Sequence, residues 1–156
     1  MNHNLYIILF IPFLTSCDQS NCPKNINRQP LYGQVAKWSE QIEADIKYLE
    51  EMENIFKGDR KKAAQNRVER GWGYYHKNHF DYAIMGFNQA CLLDSNNAQI
   101  YWGFGNIASQ GKKYEESLTF CNKSLDIDPN NSNAWLSIST SYGQLFLKTQ
   151  DKIMFD

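Results

Sequence analysis

From Val35 to Phe56 the apolar residues Val35, Trp38, Ile42, Ile46, Leu49, Met52 and Phe56 recur at steps of three and four. That is the period of one helical face, and it predicts an amphipathic helix. Glu43 and Lys47 stand four apart on the opposite side, in the order that favours an ion pair. Gly58 supplies a stop, and Asp59 offers a side-chain acceptor to the start of the next helix.

Beyond this helix the pattern returns on itself. The stretch "IMGFNQACLLDSNNAQIYW" at 84–102 comes back as "LTFCNKSLDIDPNNSNAWL" at 118–136, which aligns Asp94 with Asp128, Asn96 and Asn97 with Asn130 and Asn131, and Tyr101 with Trp135 at an offset of 34. The same offset relates Gly71, Gly105 and Ser139; Tyr74, Ala108 and Tyr142; Ala83 and Ser117; Phe87 and Cys121; Ala90 and Ser124; Ser95 and Pro129. Small residues recur where antiparallel helices must approach closely, and large ones fill the space beside them.

This pattern resembles the tetratricopeptide repeat, with small residues and a Tyr on the first helix of each hairpin, then Ala, an aromatic, Ala and a turn Pro on the second. The segment "YEESLTFCNKSLDIDPNN" carries the resemblance most closely, with Tyr114 opening a second helix and Pro129 ending it. The resemblance implies an all-α fold, a short array of helical hairpins: repeat one at 64–97, repeat two at 98–131, and a partial third repeat or C-terminal cap at 132–156, preceded by a lid helix at 34–58. Arg67 and Arg70 replace the usual aromatic and Leu of the first helix. They are expected to meet the lid with stems packed and charged heads exposed. In the third repeat Asp151 stands where Ala83 and Ser117 stood. "QLFLKTQDKIMFD" therefore reads either as a short amphipathic cap or as apolar Phe146, Leu147, Ile153 and Phe155 left for a partner. Such arrays need about three repeats to stabilise one another, so the lid and this end must supply interfaces.

In that family the first helices line a peptide-binding groove. Transferred by repeat phase, the groove residues are Trp72, Tyr75 and His76, then Trp102, Asn106 and Gln110, then Thr140 and Gln144. Aromatic rings desolvate apolar side chains and amides bond a peptide backbone, so the set suits a protein segment. The other reading is that Trp72 and Trp102 simply pack between adjacent first helices. Family members that clamp a C-terminal carboxylate use Lys and Arg in this groove, and the corresponding positions here carry neither, which disfavours acidic-tailed partners.

The leader changes the setting. "LYIILFIPFL" is an apolar run of ten, about half of a membrane span, and reads as the core of a signal peptide over 1–16. "LTSC", Leu14 to Cys17, resembles the lipobox of bacterial lipoproteins, although no Lys or Arg precedes Leu5. The resemblance implies that Cys17 is lipidated and becomes the mature N-terminus, that the protein is anchored to a bacterial cell membrane facing the periplasm, and that Asp18 favours the inner membrane where the enterobacterial sorting habit applies. The following residues, 17–33, hold Pro23, Pro30 and Gly33 among many amides and are expected to form a lipidated tether with almost nothing to pack.

Composition narrows the remaining options. A length of 156 residues fits one domain, 42% hydrophobic content excludes general disorder, and a net charge of −1 gives no field to draw nucleic acid. With Cys17 lipidated, Cys22, Cys91 and Cys121 allow at most one disulfide. His76 and His79 are three apart, yet no third ligand stands at a recognisable spacing, so they read as exposed turn histidines and no metal or cofactor is expected. No nucleophile elbow, phosphate loop or zinc-protease motif occurs in the sequence, so no enzyme is expected. The sequence thus points to an adaptor or assembly factor that binds another envelope protein. The alternative is an inhibitor or immunity lipoprotein that blocks a toxic enzyme.

Overall fold

The computed structural model describes residues 25–155, with side chains through residue 150. The fold is all-α, and the described residues contain no strand. After two short 3-10 turns over residues 26–34 come α1 (Ser39–Ile55), α2 (Arg60–Tyr75), α3 (Phe80–Leu93), α4 (Ala98–Gln110), α5 (Tyr114–Ile127) and α6 (Ser132–Phe155). Helices α2 and α3 form one hairpin and α4 and α5 a second, and α6 packs on α5 and touches α4.

The repeated polar residues make the repeated turns. Asp94 and Asp128 each accept from a backbone N–H two residues on, at 3.0 and 3.1 Å, which bends the chain out of a second helix. Asn97 and Asn131 then cap the next first helix, accepting from Gln99 N at 3.0 Å and Ala134 N at 3.3 Å. Within each hairpin the turn closes with a left-handed residue, Asn78 at φ 59° and Lys112 at φ 58°. The N–H one residue on then reaches back to the carbonyls of Tyr74 and Ala108, both at 3.0 Å. Asp59 caps α2 through Lys62 N at 2.9 Å, as its position predicts.

Phe87 is fully buried at the centre, edge-on to Phe104 with centroids 5.7 Å apart, and Phe104 meets Phe120 at 5.3 Å. Phe87 fits because two glycines face it: a Cβ on Gly71 would lie 2.7 Å from the ring, and one on Gly103 2.5 Å. Burying each such ring contributes about 1.5 to 3 kcal/mol. A second seam joins α5 to α6 through Cys121, Leu125, Ala134 and Ile138. There the hydroxyls of Ser117 and Ser141, both fully buried, bond each other at 3.0 Å.

Four expectations are corrected. Helix α1 does rest on α2, with Met52 buried among Ala63, Ala64 and Leu93, but it begins only at Ser39. The first half of its apolar stripe stays in solvent, with Val35 43%, Ile42 47% and Ile46 51% exposed. The helix is rotated there because Lys37 and Asp45 form an ion pair and Lys37 sits over the Tyr32 ring at 3.2 Å, which turns Asp45 and Tyr48 toward the domain. Arg70 is exposed as expected, whereas the head of Arg67 is tucked under the lid. It donates to Met52 Sδ at 3.0 Å and lies 5.6 Å from the Tyr48 ring centroid, its Nε buried without a partner among the described residues.

The stretch expected to be a tether packs, at least from Asn25 onward. Ile26 is buried, and Asn88 of α3, itself 1% exposed, donates through Nδ2 to the carbonyls of Asn27 at 3.0 Å and Gln29 at 2.8 Å. The chain then turns through left-handed backbone at Leu31, Tyr32, Gly33 and Gln34, with φ 51°, 56°, 67° and 55°. Finally, α6 is one unbroken helix of 24 residues rather than a helix followed by a separate cap. Residues 1–24, which include Cys17, Cys22 and the stretch read as a leader, lie outside the described residues.

Candidate protein-binding face

The first helices α2, α4 and α6 adjoin in order, and they carry the residues that the repeat phase assigns to a groove. Trp72 and Trp102 meet with ring centroids 4.3 Å apart. Both are half-buried. Trp72 also packs edge-on against Phe87 at 5.4 Å and Tyr75 at 5.3 Å, while Trp102 donates from Nε1 to Ser137 Oγ on α6 at 3.1 Å. The indoles therefore stitch α2 to α4 and α4 to α6. Trp72 Nε1 is enclosed with no acceptor among the described residues, which marks that end of the ring as interior.

Amides flank this pair. Asn106 Nδ2 donates to Trp102 O at 2.8 Å, one turn back on the same helix, so its orientation is set by its own backbone. Gln110 is exposed and reaches Tyr75 Oη at 3.4 Å. Gln144, exposed on α6, accepts from the Tyr114 hydroxyl on α5, also at 3.4 Å. Bonds this long are near the limit of the geometry and are readily exchanged for others. Trp72, Tyr75, Trp102, Asn106 and Gln110 thus form one continuous patch, His76 stacks at its edge 6.1 Å from Trp72, and Gln144 and Thr140 belong to the neighbouring helix. None of these patch side chains is charged.

A cavity of about 400 Å³ lies elsewhere, between the 25–34 turns, α1 and α3. Tyr32, Lys37, Asp45, Tyr48 and Asn88 line it among apolar Ile26, Met85 and Leu92. The Asn88 amide must direct its NH2 at the two carbonyls it bonds, which leaves Oδ1 buried with no partner among the described residues. Burial, and then the nearby Asp45 carboxylate, push the Tyr32 hydroxyl pKa well above its ordinary value. Sequence reading missed this site. Asn88 and its repeat equivalent Asn122 are identical in sequence, but Asn122 is exposed, so only the docking of the turn distinguishes them.

The two histidines close the α2–α3 turn, His76 as the C-cap of α2 and His79 as the N-cap of α3, and both are exposed. Among the described residues no group of three His, Cys, Asp or Glu is placed to hold a metal ion. Cys91 and Cys121 are free thiols, and burial raises the pKa of each above its ordinary value. No described helix is long and apolar enough to cross a membrane. Comparison of the chain with protein-family models gave no match, and comparison with curated proteins gave none either.

Proposed function

We propose that this protein is a membrane-tethered helical-repeat adaptor of the tetratricopeptide type. In this reading it is lipid-anchored at Cys17 in the bacterial envelope and binds a segment of another envelope protein on the face of α2 and α4. The observation that supports the reading best is the uncharged patch itself, in which a tilted indole pair is bordered by exposed Gln110, held only at 3.4 Å. Such a surface pairs an apolar floor with amides that satisfy a peptide backbone.

Placing a photo-crosslinking residue at Gln110, and separately at exposed Asn122 on α5, tests this in intact envelopes. The expected result is one discrete adduct from position 110 and none from 122. An absent adduct, or equal yields at both positions, would reject the face. Trp102→Ala is a less clean probe, because the indole lies between Trp72 and Ser137 and its loss disturbs folding as well as any binding.

A further inference from the structure

Helix α6 presents one side of an interface whose other side is absent from the described chain. In the two complete hairpins the second helix covers the first at positions fixed by the 34-residue offset. On α4, Tyr101, Gly105 and Ala108 are buried, with Lys123 of α5 over the Tyr101 ring at 5.1 Å and Cys121 of α5 against Gly105. On α2, Gly71 faces Phe87 of α3 and Tyr74 packs on Tyr82 of α3 at 5.4 Å. The equivalent residues of α6 are Trp135, Ser139 and Tyr142, and all three are exposed, Trp135 at 56% and Tyr142 at 58%, with Phe146 one turn on at 62%.

We propose that this face pairs with the same face of a second copy, the two α6 helices lying antiparallel across a two-fold axis beside the Thr140–Ser141 peptide. Shape supports the pairing. With the axis there, Trp135 stands opposite Phe146 of the partner subunit, and Ser139 stands opposite Tyr142 of the partner subunit. Large residues meet at the ends and small meets large in the middle, which is the self-complementarity an isologous contact requires. Charge supports it too. No Asp, Glu, Lys, Arg or His occurs from Ser132 to Leu147, so two copies meet without like-charge repulsion, and a partner selected by charge has nothing to read.

Continuity with the existing interfaces is the third support. A second α6 takes the place that α3 takes on α2 and that α5 takes on α4, and it is antiparallel as they are. Trp135 is already set for the contact: its Nε1 donates to Pro129 O at 3.0 Å, as the Tyr101 hydroxyl donates to Ser95 O at 3.0 Å in the covered helix. A side chain fixed in this way loses little freedom on association. The pairing uses neither Trp72, Tyr75 nor Gln110, so it stands or falls independently of the adaptor reading.

Sedimentation equilibrium of the full chain in detergent solution tests the pairing, with circular dichroism to confirm that each variant keeps its helices. The wild type is expected to pass from monomer to dimer as concentration rises. Tyr142→Glu brings two carboxylates close together beside the axis, and Phe146→Glu sets a carboxylate against the partner's Trp135; each should raise the dissociation constant by at least about tenfold. Tyr82→Glu, at a comparably exposed tyrosine on α3, should leave it unchanged. A wild type that stays monomeric at every concentration would overturn the proposal, including the case in which some other protein covers Tyr142. So would a dimer indifferent to both α6 variants, or one that Tyr82→Glu weakens equally.

Discussion

Gly105 lies so close to Cys121 that a Cβ placed on it would fall 2.5 Å from the thiol sulfur and 3.2 Å from the carbonyl oxygen of Ser117. The sulfur is on a side chain, but the Ser117 oxygen belongs to the backbone of α5 and cannot turn aside. Gly105→Leu is therefore expected to separate α4 from α5 and to cost about 1 to 3 kcal/mol or more. Gly105→Ala should cost less when Cys121 is also replaced by Ala, because the sulfur half of the clash is gone. Thermal melts of the two singles and the double give the coupling, and a wild-type melting temperature for Gly105→Leu would mean that these helices do not meet here.

Helix α1 offers a test in which periodicity and packing disagree. Ile42 and Ile46 belong to the apolar stripe yet remain about half exposed, while Met52, farther along the same stripe, is 2% exposed. Replacing Ile42 or Ile46 by Glu should change stability by no more than about 0.5 kcal/mol, as for ordinary surface sites. Met52→Ala should cost about 2 to 5 kcal/mol. Urea unfolding that ranks Ile42→Glu with Met52→Ala would show that the whole stripe is covered.

Tyr101 gives a prediction in alkali. Burial, followed by the neighbouring Cys91 thiol, pushes its hydroxyl pKa from 10.0 up to about 12. The folded protein therefore holds this proton where the unfolded chain has released it. The resulting contribution is complete below pH about 10 and is lost as pH rises toward about 12. Tyr101→Phe removes the bond to Ser95 O and should cost about 1 kcal/mol near neutrality, but it should also flatten the fall between those pH values. Urea midpoints at pH 9 and pH 11 for both proteins check this, and parallel slopes would exclude Tyr101 as a contributor.

Cys17→Ser bears on the anchor. If Cys17 carries the acyl chains, incorporation of an alkyne-tagged fatty acid should fall to background in the variant, and the chain should leave the detergent phase on partitioning. Each buried methylene contributes about 0.8 kcal/mol, so the loss should be nearly complete. Labelling unchanged by the substitution would place the lipid elsewhere or remove it altogether.

What could be read from the chain beforehand divides along physical lines. The hairpins were legible because each repeat imposes the same local chemistry twice: Asp94 and Asp128 bend the chain, Asn97 and Asn131 cap it, and small residues at Gly71 and Gly105 admit a neighbour. The contact of Trp72 with Trp102 needed coordinates, since repeat phase places a residue on a face but not its ring. The seat of the 25–34 turns could not be seen at all. It rests on Ile26 and Leu31, two apolar side chains, and on one buried amide, Asn88, and none of them produces a period. The apolar stripe of α1 misled for the opposite reason, because a regular period states that one face is apolar and not how much of that face is covered.

The grip of Asn88 on the N-terminal turns also decides how the domain bears load. A pull on the chain ahead of Asn25 is delivered through Ile26 and two amide bonds into the middle of α3, the helix that carries Phe87 at the centre of the core. Helix α1, which rests on fewer buried side chains, follows that junction in sequence and is shielded while the junction holds. A pull from the N-terminal side thus meets the Asn88 bonds, with Ile26 and Leu31, before it reaches α1.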